Sequence, residues 1–150
     1  MNMTQLRLFD SYDYDDYEQF SSFISRQGAP IPDRSLLPCS TLVAYPSGRP
    51  DKQIGFCSLY TDPSVGVGHI DWLCTSPALP FLLATEVVEF LLEGLEDIGK
   101  SLYPGSFLLI GCVRSLAMAN WAKKAGFTPT GPVEMILKGN YRHDDNLTDC

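Results

Sequence analysis

A long amphipathic helix between two strand-like runs constrains the fold of this chain most strongly. Residues 66–76 (GVGHIDWLCTS) read as a strand, and residues 106–113 (SFLLIGCV) are continuously apolar, as in a strand buried on both faces. In the segment between them, apolar residues recur at helical spacing until the YPG sequence at 103–105, which ends the helix. A helical crossover of this kind joins parallel strands. The predicted apolar face of the helix consists of Leu83, Val87, Phe90, Leu91, Leu95 and Ile98.

The other segments predict an α/β (α+β) domain with a mixed sheet. A strand at 4–9 precedes a helix that ends at Gly28, and a proline-rich loop follows it. Three runs that begin at 40, 52 and 66 form an antiparallel meander. A short helix over 115–126 and a strand over 133–139 complete the order. We expect three layers, with a central sheet of about six to seven strands and helices on both faces, in one domain over 1–138 with a polar tail over 139–150.

Composition restricts the class of protein and its partners. The chain has 150 residues, 45% of them hydrophobic, which suits one compact domain. Its formal charge of −7 argues against nucleic-acid binding. The charge either suits a cationic partner or serves solubility alone. The N-terminal sequence does not resemble a signal peptide, and no apolar run is long enough for a membrane span, so we expect a cytoplasmic protein without membrane association. Five cysteines without a CxxC pair predict no metal site. The oligomeric state stays open.

Two motifs in the expected order resemble those of the Gcn5-related N-acetyltransferase (GNAT) family. The first is the strand motif I-D-x-L-x-T-x-P at residues 70–77, and the second is K-x-G-F at residues 124–127, after the short helix. The resemblance covers residues 4–138, nearly the whole chain. It implies a GNAT fold, acetyl-CoA as cofactor and direct attack of a primary amine on the thioester.

The predicted cofactor loop departs from the family pattern. The family carries Q/R-x-x-G-x-G/A there, and this chain has Pro80, Leu83 and Thr85 at those positions. Proline lacks a backbone donor, and leucine stands where a phosphate oxygen would approach. Either the helix N-terminus still holds the pyrophosphate or the groove is plugged, so acetyl-CoA binding stays open. The candidate cofactor-binding residues are Leu73, Cys74, Thr75, Phe81, Leu82, Leu83, Ala84, Thr85 and Arg114.

Arg114 is the best candidate for replacing the arginine of the family loop, because it follows the predicted fifth strand. Its alternative role is that of an ordinary surface charge. The other cations that could reach CoA phosphates are Arg7, Arg34, Arg49 and Lys123.

The candidate catalytic residues are His69 and Asp71. They lie two apart on a predicted strand, so both face one side, and Ile70, Trp72 and Cys74 face the other. Either could deprotonate an ammonium group before it attacks the thioester. The alternative is a polar pair on a solvated face.

The tyrosine with which many family members protonate the thiolate is replaced by Ala122, with Trp121 before it and Ser115 where asparagine is frequent. Cys112 could carry an acyl group, but burial is the simpler prediction.

Two functions remain open from the sequence. The first is an acyl-CoA-dependent N-acetyltransferase acting on an amine-bearing small molecule or protein. The second is a catalytically inactive GNAT-fold structural or interaction protein, for example a phage virion or assembly component, which would bind a protein partner.

Overall fold

The computed structural model describes residues 3–62, 64–105, 107–112, 116–129 and 141–142. The strands are β1 (Thr4–Leu8), β2 (Ile31–Pro32), β3 (Thr41–Pro46), β4 (Gly55–Thr61), β5 (Val67–Thr75), β6 (Leu108–Gly111) and β7 (Tyr141–Arg142). The helices are α1 (Asp16–Arg26), α2 (Phe81–Leu102) and α3 (Leu116–Lys124), with one 3₁₀ turn (Arg34–Leu36).

The central sheet has the order β1-β3-β4-β5-β6. The first four strands pair antiparallel, and β6 joins β5 in parallel through the α2 crossover. The predicted mixed α/β architecture is confirmed, with five strands in the main sheet instead of six to seven. A separate two-stranded sheet pairs β2 with β7, where a loop and the polar tail were predicted. The predicted strand over 133–139 lies outside the described residues.

Helix α1 covers one face of the sheet with an aromatic core. Phe20 and Phe56 are fully buried, with ring centroids 5.6 Å apart, and Phe23 lies 5.5 Å from Phe56. Trp72 and Cys74 of β5 belong to this same core. Edge-to-face ring packing of this kind stabilises the contact between α1 and the sheet.

Helix α2 covers the opposite face, with a buried stripe rotated from the predicted one. Leu83 and Phe90 were predicted to be buried, but each is 37% exposed. A Cβ atom on Gly55 of β4 would lie 2.8 Å from Val87, so this glycine lets the helix approach the sheet closely at that turn. The buried residues of α2 are Ala84, Val87, Val88, Leu91, Leu92, Leu95 and Gly99.

An ion pair with a buried carboxylate ties β1 to the start of α1. Arg7 donates to both carboxylate oxygens of Asp16, at 2.6 and 2.7 Å, and Asp16 is fully buried. Gln53 and the Asp10 amide also donate to Asp16. Burial opposes the charged form of Arg7, but the hydrogen bonds to Asp16 and its negative charge raise the arginine pKa. Arg7 is therefore a structural residue, and its prediction as a cation for CoA was wrong.

No helix among the described residues is long and apolar enough to cross a membrane. The described part of the chain also holds no cluster of three or more His, Cys, Asp or Glu side chains that could bind a metal ion.

Candidate active site

Strand β5 contains a bulge between its two predicted catalytic residues and its predicted cofactor residues. Ser58 pairs with Asp71 and Phe56 with Cys74, so Cys57 alone opposes both Trp72 and Leu73. Trp72 has a φ of 58°, a left-handed conformation that glycine usually takes in such bulges. The Asp71 carboxylate accepts a hydrogen bond from the Trp72 amide at 2.7 Å. Asp71 thus holds the backbone in this strained conformation.

The bulge changes the faces to which β5 side chains point. Ile70 packs in the α2-side core, whereas Trp72 and Cys74 pack in the α1-side core. The prediction that these three share one face was wrong, because an extra residue in a strand breaks its alternation. The Cys74 thiol is buried against α1, so only its backbone is left to contact a cofactor.

Within the described residues, the pairing of β5 with β6 ends at Ile70 and Gly111, immediately before the bulge. A cavity of about 940 Å³ lies beside this point, and Asp71 to Leu73 line it from β5. The side-chain amide of Gln27 donates to the Leu73 carbonyl at 3.5 Å, a long contact from the α1 side. The predicted pantetheine residue Leu73 therefore lines this cavity.

His69 and Asp71 line a second cavity, of about 610 Å³, which shares Ile70, Asp71 and Cys112 with the first. His69 is exposed and Asp71 is half-buried. Asp62 also lines it, and hydrogen bonds from the Ser64 hydroxyl and amide lower the pKa of the Asp62 carboxyl. Neither Lys nor Arg is among the described residues that line this cavity. Its two carboxylates therefore favour a cationic ligand.

Tyr60 is a site residue that the sequence analysis missed. It pairs with His69 across β4 and β5, and its hydroxyl accepts from the Trp72 indole at 2.7 Å and donates to the Leu36 carbonyl at 3.0 Å. Burial raises the pKa of Tyr60 against the opposing effect of the Trp72 hydrogen bond, and the charge of Asp71 adds to the increase. Tyr60 is thus a neutral phenol, and its hydroxyl holds the indole of Trp72 in place. Only the strand register, which the sequence did not give, brings it here.

In the first turn of α2, exposed apolar side chains lie beside backbone amides that have no acceptor within the helix. Pro80 is the N-cap, and no described side chain caps the helix. The first intrahelical bond runs from the Ala84 amide to the Pro80 carbonyl, so helix geometry leaves the three amides at 81–83 without an intrahelical acceptor. The side chains of Phe81 and Leu82 are 66% and 78% exposed.

The remaining predicted residues of this loop differ in what they offer a ligand. Ala84 is buried against the sheet. Thr85 donates its hydroxyl proton to the Phe81 carbonyl at 3.0 Å, so its oxygen is left as an acceptor. Thr75 is half-buried in its pairing with Gly55. Arg114 lies outside the described residues.

Aromatic packing joins the start of α2 to α3. The rings of Phe81 and Trp121 lie 6.1 Å apart at an interplanar angle of 39°. Next to Trp121, Ala122 lines the large cavity at the position of the family tyrosine, and its methyl group supplies no acid. Cys112, predicted to be buried, is half-buried and lines both cavities.

No protein-family model and no curated protein sequence matches the chain. Solved structures do match it. An acetyltransferase from Trypanosoma brucei superposes with a TM-score of 0.64 at 18% identity, over 91% of this chain and 99% of that one. Glucosamine-6-phosphate N-acetyltransferase from Arabidopsis thaliana gives a TM-score of 0.55 at 15% identity, over 92% and 99% of the two chains.

N-acetylglutamate synthase from Neisseria gonorrhoeae, in complex with coenzyme A and N-acetyl-glutamate, superposes with a TM-score of 0.60 at 19% identity. The match covers 85% of this chain and 29% of the synthase. The fold is GNAT-like. The predicted fold class is therefore confirmed, and at these identities the likeness concerns the fold alone.

Proposed function

We propose that this protein is an acyl-CoA-dependent N-acyltransferase in which a primary amine attacks the thioester directly. One observation carries the proposal: among the described residues the pairing of β5 with β6 ends at Ile70 and Gly111, beside the bulge at Trp72. Two cavities adjoin this point, one lined by Asp71 to Leu73 and the other, which is acidic, by His69, Asp71 and Asp62. GNAT-like structures that contain coenzyme A support the assignment of a CoA thioester to this point.

In this proposal the chain supplies binding, orientation and proton removal. The backbone of residues 73–75 holds the pantetheine arm by strand-like pairing, and the first turn of α2 over 81–85 turns its three open amides, those at 81–83, toward the pyrophosphate. Arg114 is proposed as a further cation for the phosphates. The amine enters the acidic cavity as a cation, and His69 or Asp71 accepts its proton. The neutral nitrogen attacks the thioester carbonyl and forms the C–N bond. The C–S bond then breaks, the thiolate leaves, and the nitrogen loses its second proton to solvent as the amide forms. Because Ala122 replaces the family tyrosine, solvent protonates the thiolate.

Isothermal titration with CoA and acetyl-CoA tests the proposal. We expect micromolar binding to the unaltered protein and a loss of at least about tenfold in Thr85→Glu, which places a carboxylate beside the phosphates. Ser101→Glu is the matched control, because it adds the same charge at the opposite end of α2 and should leave affinity unchanged. The absence of heat up to millimolar ligand would contradict the proposal.

A second function is favoured by one observation, the exposure of Phe81 and Leu82 at the helix N-terminus. Apolar side chains in the position of a phosphate loop suit a protein partner better than a charged cofactor. The chain would then be a catalytically inactive structural or interaction protein, such as a phage virion or assembly component. This alternative predicts no CoA binding in the titration above.

A further inference from the structure

Trp72 combines a strained backbone with an anchored side chain. Its φ of 58° is a left-handed conformation, which a residue other than glycine keeps only where contacts with its surroundings outweigh the cost. Its indole is almost fully buried, packs edge-on against Phe20 with ring centroids 6.4 Å apart, and donates to the Tyr60 hydroxyl at 2.7 Å. Contacts of the side chain therefore help to hold the backbone of the bulge.

Tyr60 connects this bulge to the 3₁₀ turn. Its hydroxyl accepts from the Trp72 indole and donates its only proton to the Leu36 carbonyl at 3.0 Å. Because that proton is already bound within the protein, Tyr60 does not replace the acid that is missing at Ala122. The ring of Tyr60 is half-buried and lines the acidic cavity, but its hydroxyl serves the structure of the bulge.

The backbone of Trp72 joins two parts of the candidate site. On one side its amide donates to the Asp71 carboxylate at 2.7 Å, and on the other side it continues into Leu73, which lines the large cavity. Rotation about φ of Trp72 turns these two parts relative to each other, because φ and ψ are the only soft backbone dihedrals of a residue. The φ of Trp72 therefore sets the direction in which the backbone of residues 73–75 continues from Asp71.

We infer that Tyr60 is a positioning residue for the CoA thioester: its hydrogen bond to the Trp72 indole holds the bulge in the conformation in which residues 73–75 pair with the pantetheine arm. The inference rests on the proposed function, which assigns the arm to these residues. Tyr60 acts through Trp72 and not by contact with the cofactor. The nucleotide end of CoA, assigned to the first turn of α2, lies on a different element and does not depend on this hydrogen bond.

Titration calorimetry with two ligands tests the inference. They are CoA and adenosine bisphosphate, which is the nucleotide end of CoA without its pantetheine arm. Tyr60→Phe keeps the ring and removes the hydroxyl, and we expect it to bind CoA about tenfold more weakly, a loss of about 1.4 kcal/mol, with unchanged affinity for the bisphosphate. Tyr12→Phe is the matched control, an identical substitution at a residue that is 98% exposed, and should bind both ligands as the unaltered protein does.

Trp72→Phe removes the donor of the same hydrogen bond, and it replaces Tyr60→Phe if that variant does not fold. In the double variant, the affinity for CoA should fall no further than in the weaker-binding single variant, because both substitutions remove one and the same hydrogen bond. Where the bisphosphate binds too weakly for calorimetry, this comparison decides alone.

Unchanged affinity for CoA in Tyr60→Phe would overturn the inference and leave the proposed function standing. Equal losses for CoA and the bisphosphate would also overturn it, because the hydroxyl would then support the whole site and not the arm. Additive losses in the double variant would show that Tyr60 acts independently of Trp72, with the same consequence. If the unaltered protein binds no CoA, both the inference and the proposed function fail.

Discussion

The two ends of the central sheet differ in how completely they are paired. At the end formed by β1, β3 and β4, the strands keep one register, and buried polar groups such as Asp16 and the Thr41–Ser58 hydroxyl pair have partners. At the other end, a bulge interrupts the register of β5 against β4, and the described pairing of β5 with β6 ends beside it. A backbone group that is paired within the sheet cannot also bind a ligand, so an interrupted ladder offers binding groups that a fully paired one does not. The closed end is therefore a scaffold for the open one.

The largest expected effect comes from breaking the closed end at Asp16. Asp16→Ala leaves the Arg7 guanidinium and the Gln53 amide without their buried acceptor, and we expect a loss of about 3–5 kcal/mol in the free energy of unfolding. Urea denaturation measures it. Asp51→Ala, which removes the exposed partner of Arg49, serves as the control and should leave the unfolding midpoint unchanged. Equal midpoints for the two variants would contradict the structural role of Asp16.

The next effect concerns alkaline stability and the thiols that flank the bulge. Burial raises the pKa of both Cys57 and Cys74. The charge of Asp71 adds to the increase at Cys57, and Cys57 adds to the increase at Cys74. Above the unfolded thiol pKa of about 8.5, the unfolded state loses these protons first, so stability falls as pH rises by up to about 1.4 kcal/mol per pH unit for each thiol. Below that pH their contribution is fully present.

Urea titrations between pH 8 and 10.5 (about the range in which an unfolded thiol ionises) measure this slope. Cys57→Ala and Cys74→Ala should each reduce it, whereas Cys39→Ala, at an exposed thiol, should leave it unaltered. A slope that is insensitive to both buried positions would show that other groups cause the alkaline loss.

Substitution of Asp71 should have the smallest effect on the free energy of unfolding. It is the most informative test of the β5–β6 end of the sheet. Asp71→Ala removes the acceptor of the Trp72 amide, and we expect a loss of about 1–3 kcal/mol. Asp71→Asn keeps a carbonyl oxygen for that amide and should retain most of this stability. As an acyltransferase, the asparagine variant would lose about 10²–10⁴-fold in rate if Asp71 is the base. An unchanged rate in Asp71→Asn would assign proton removal to His69, which His69→Gln then tests.

Local patterns in the sequence predicted the scaffold well and the open end poorly. The period of α2 and the apolar run of β6 predicted a crossover and a parallel pair, because both signals lie within single segments. The expectation that β6 is buried on both faces was wrong, since Leu108 and Ile110 are 58% and 37% exposed. The buried side of α2 was misplaced at Leu83 and Phe90, because packing against the sheet and not the helical period alone selects it. At the candidate site, too, features set by neighbouring residues were predicted and features set by distant contacts were not. His69 and Asp71 were correctly predicted as neighbours, because alternation along a strand is local.

The sequence by itself determined the α/β order of the elements and the mixed sheet, and it predicted that His69 and Asp71 face one side of a strand. Tertiary structure alone decided three features: the left-handed backbone of Trp72, the point at which the described pairing of β5 with β6 ends, and the burial of Asp16 against Arg7. Each of these depends on partners distant in sequence. Trp72 takes its positive φ because three distant or neighbouring contacts outweigh its local backbone preference. They are the pairing with β4, the Asp71 carboxylate and the Tyr60 hydroxyl.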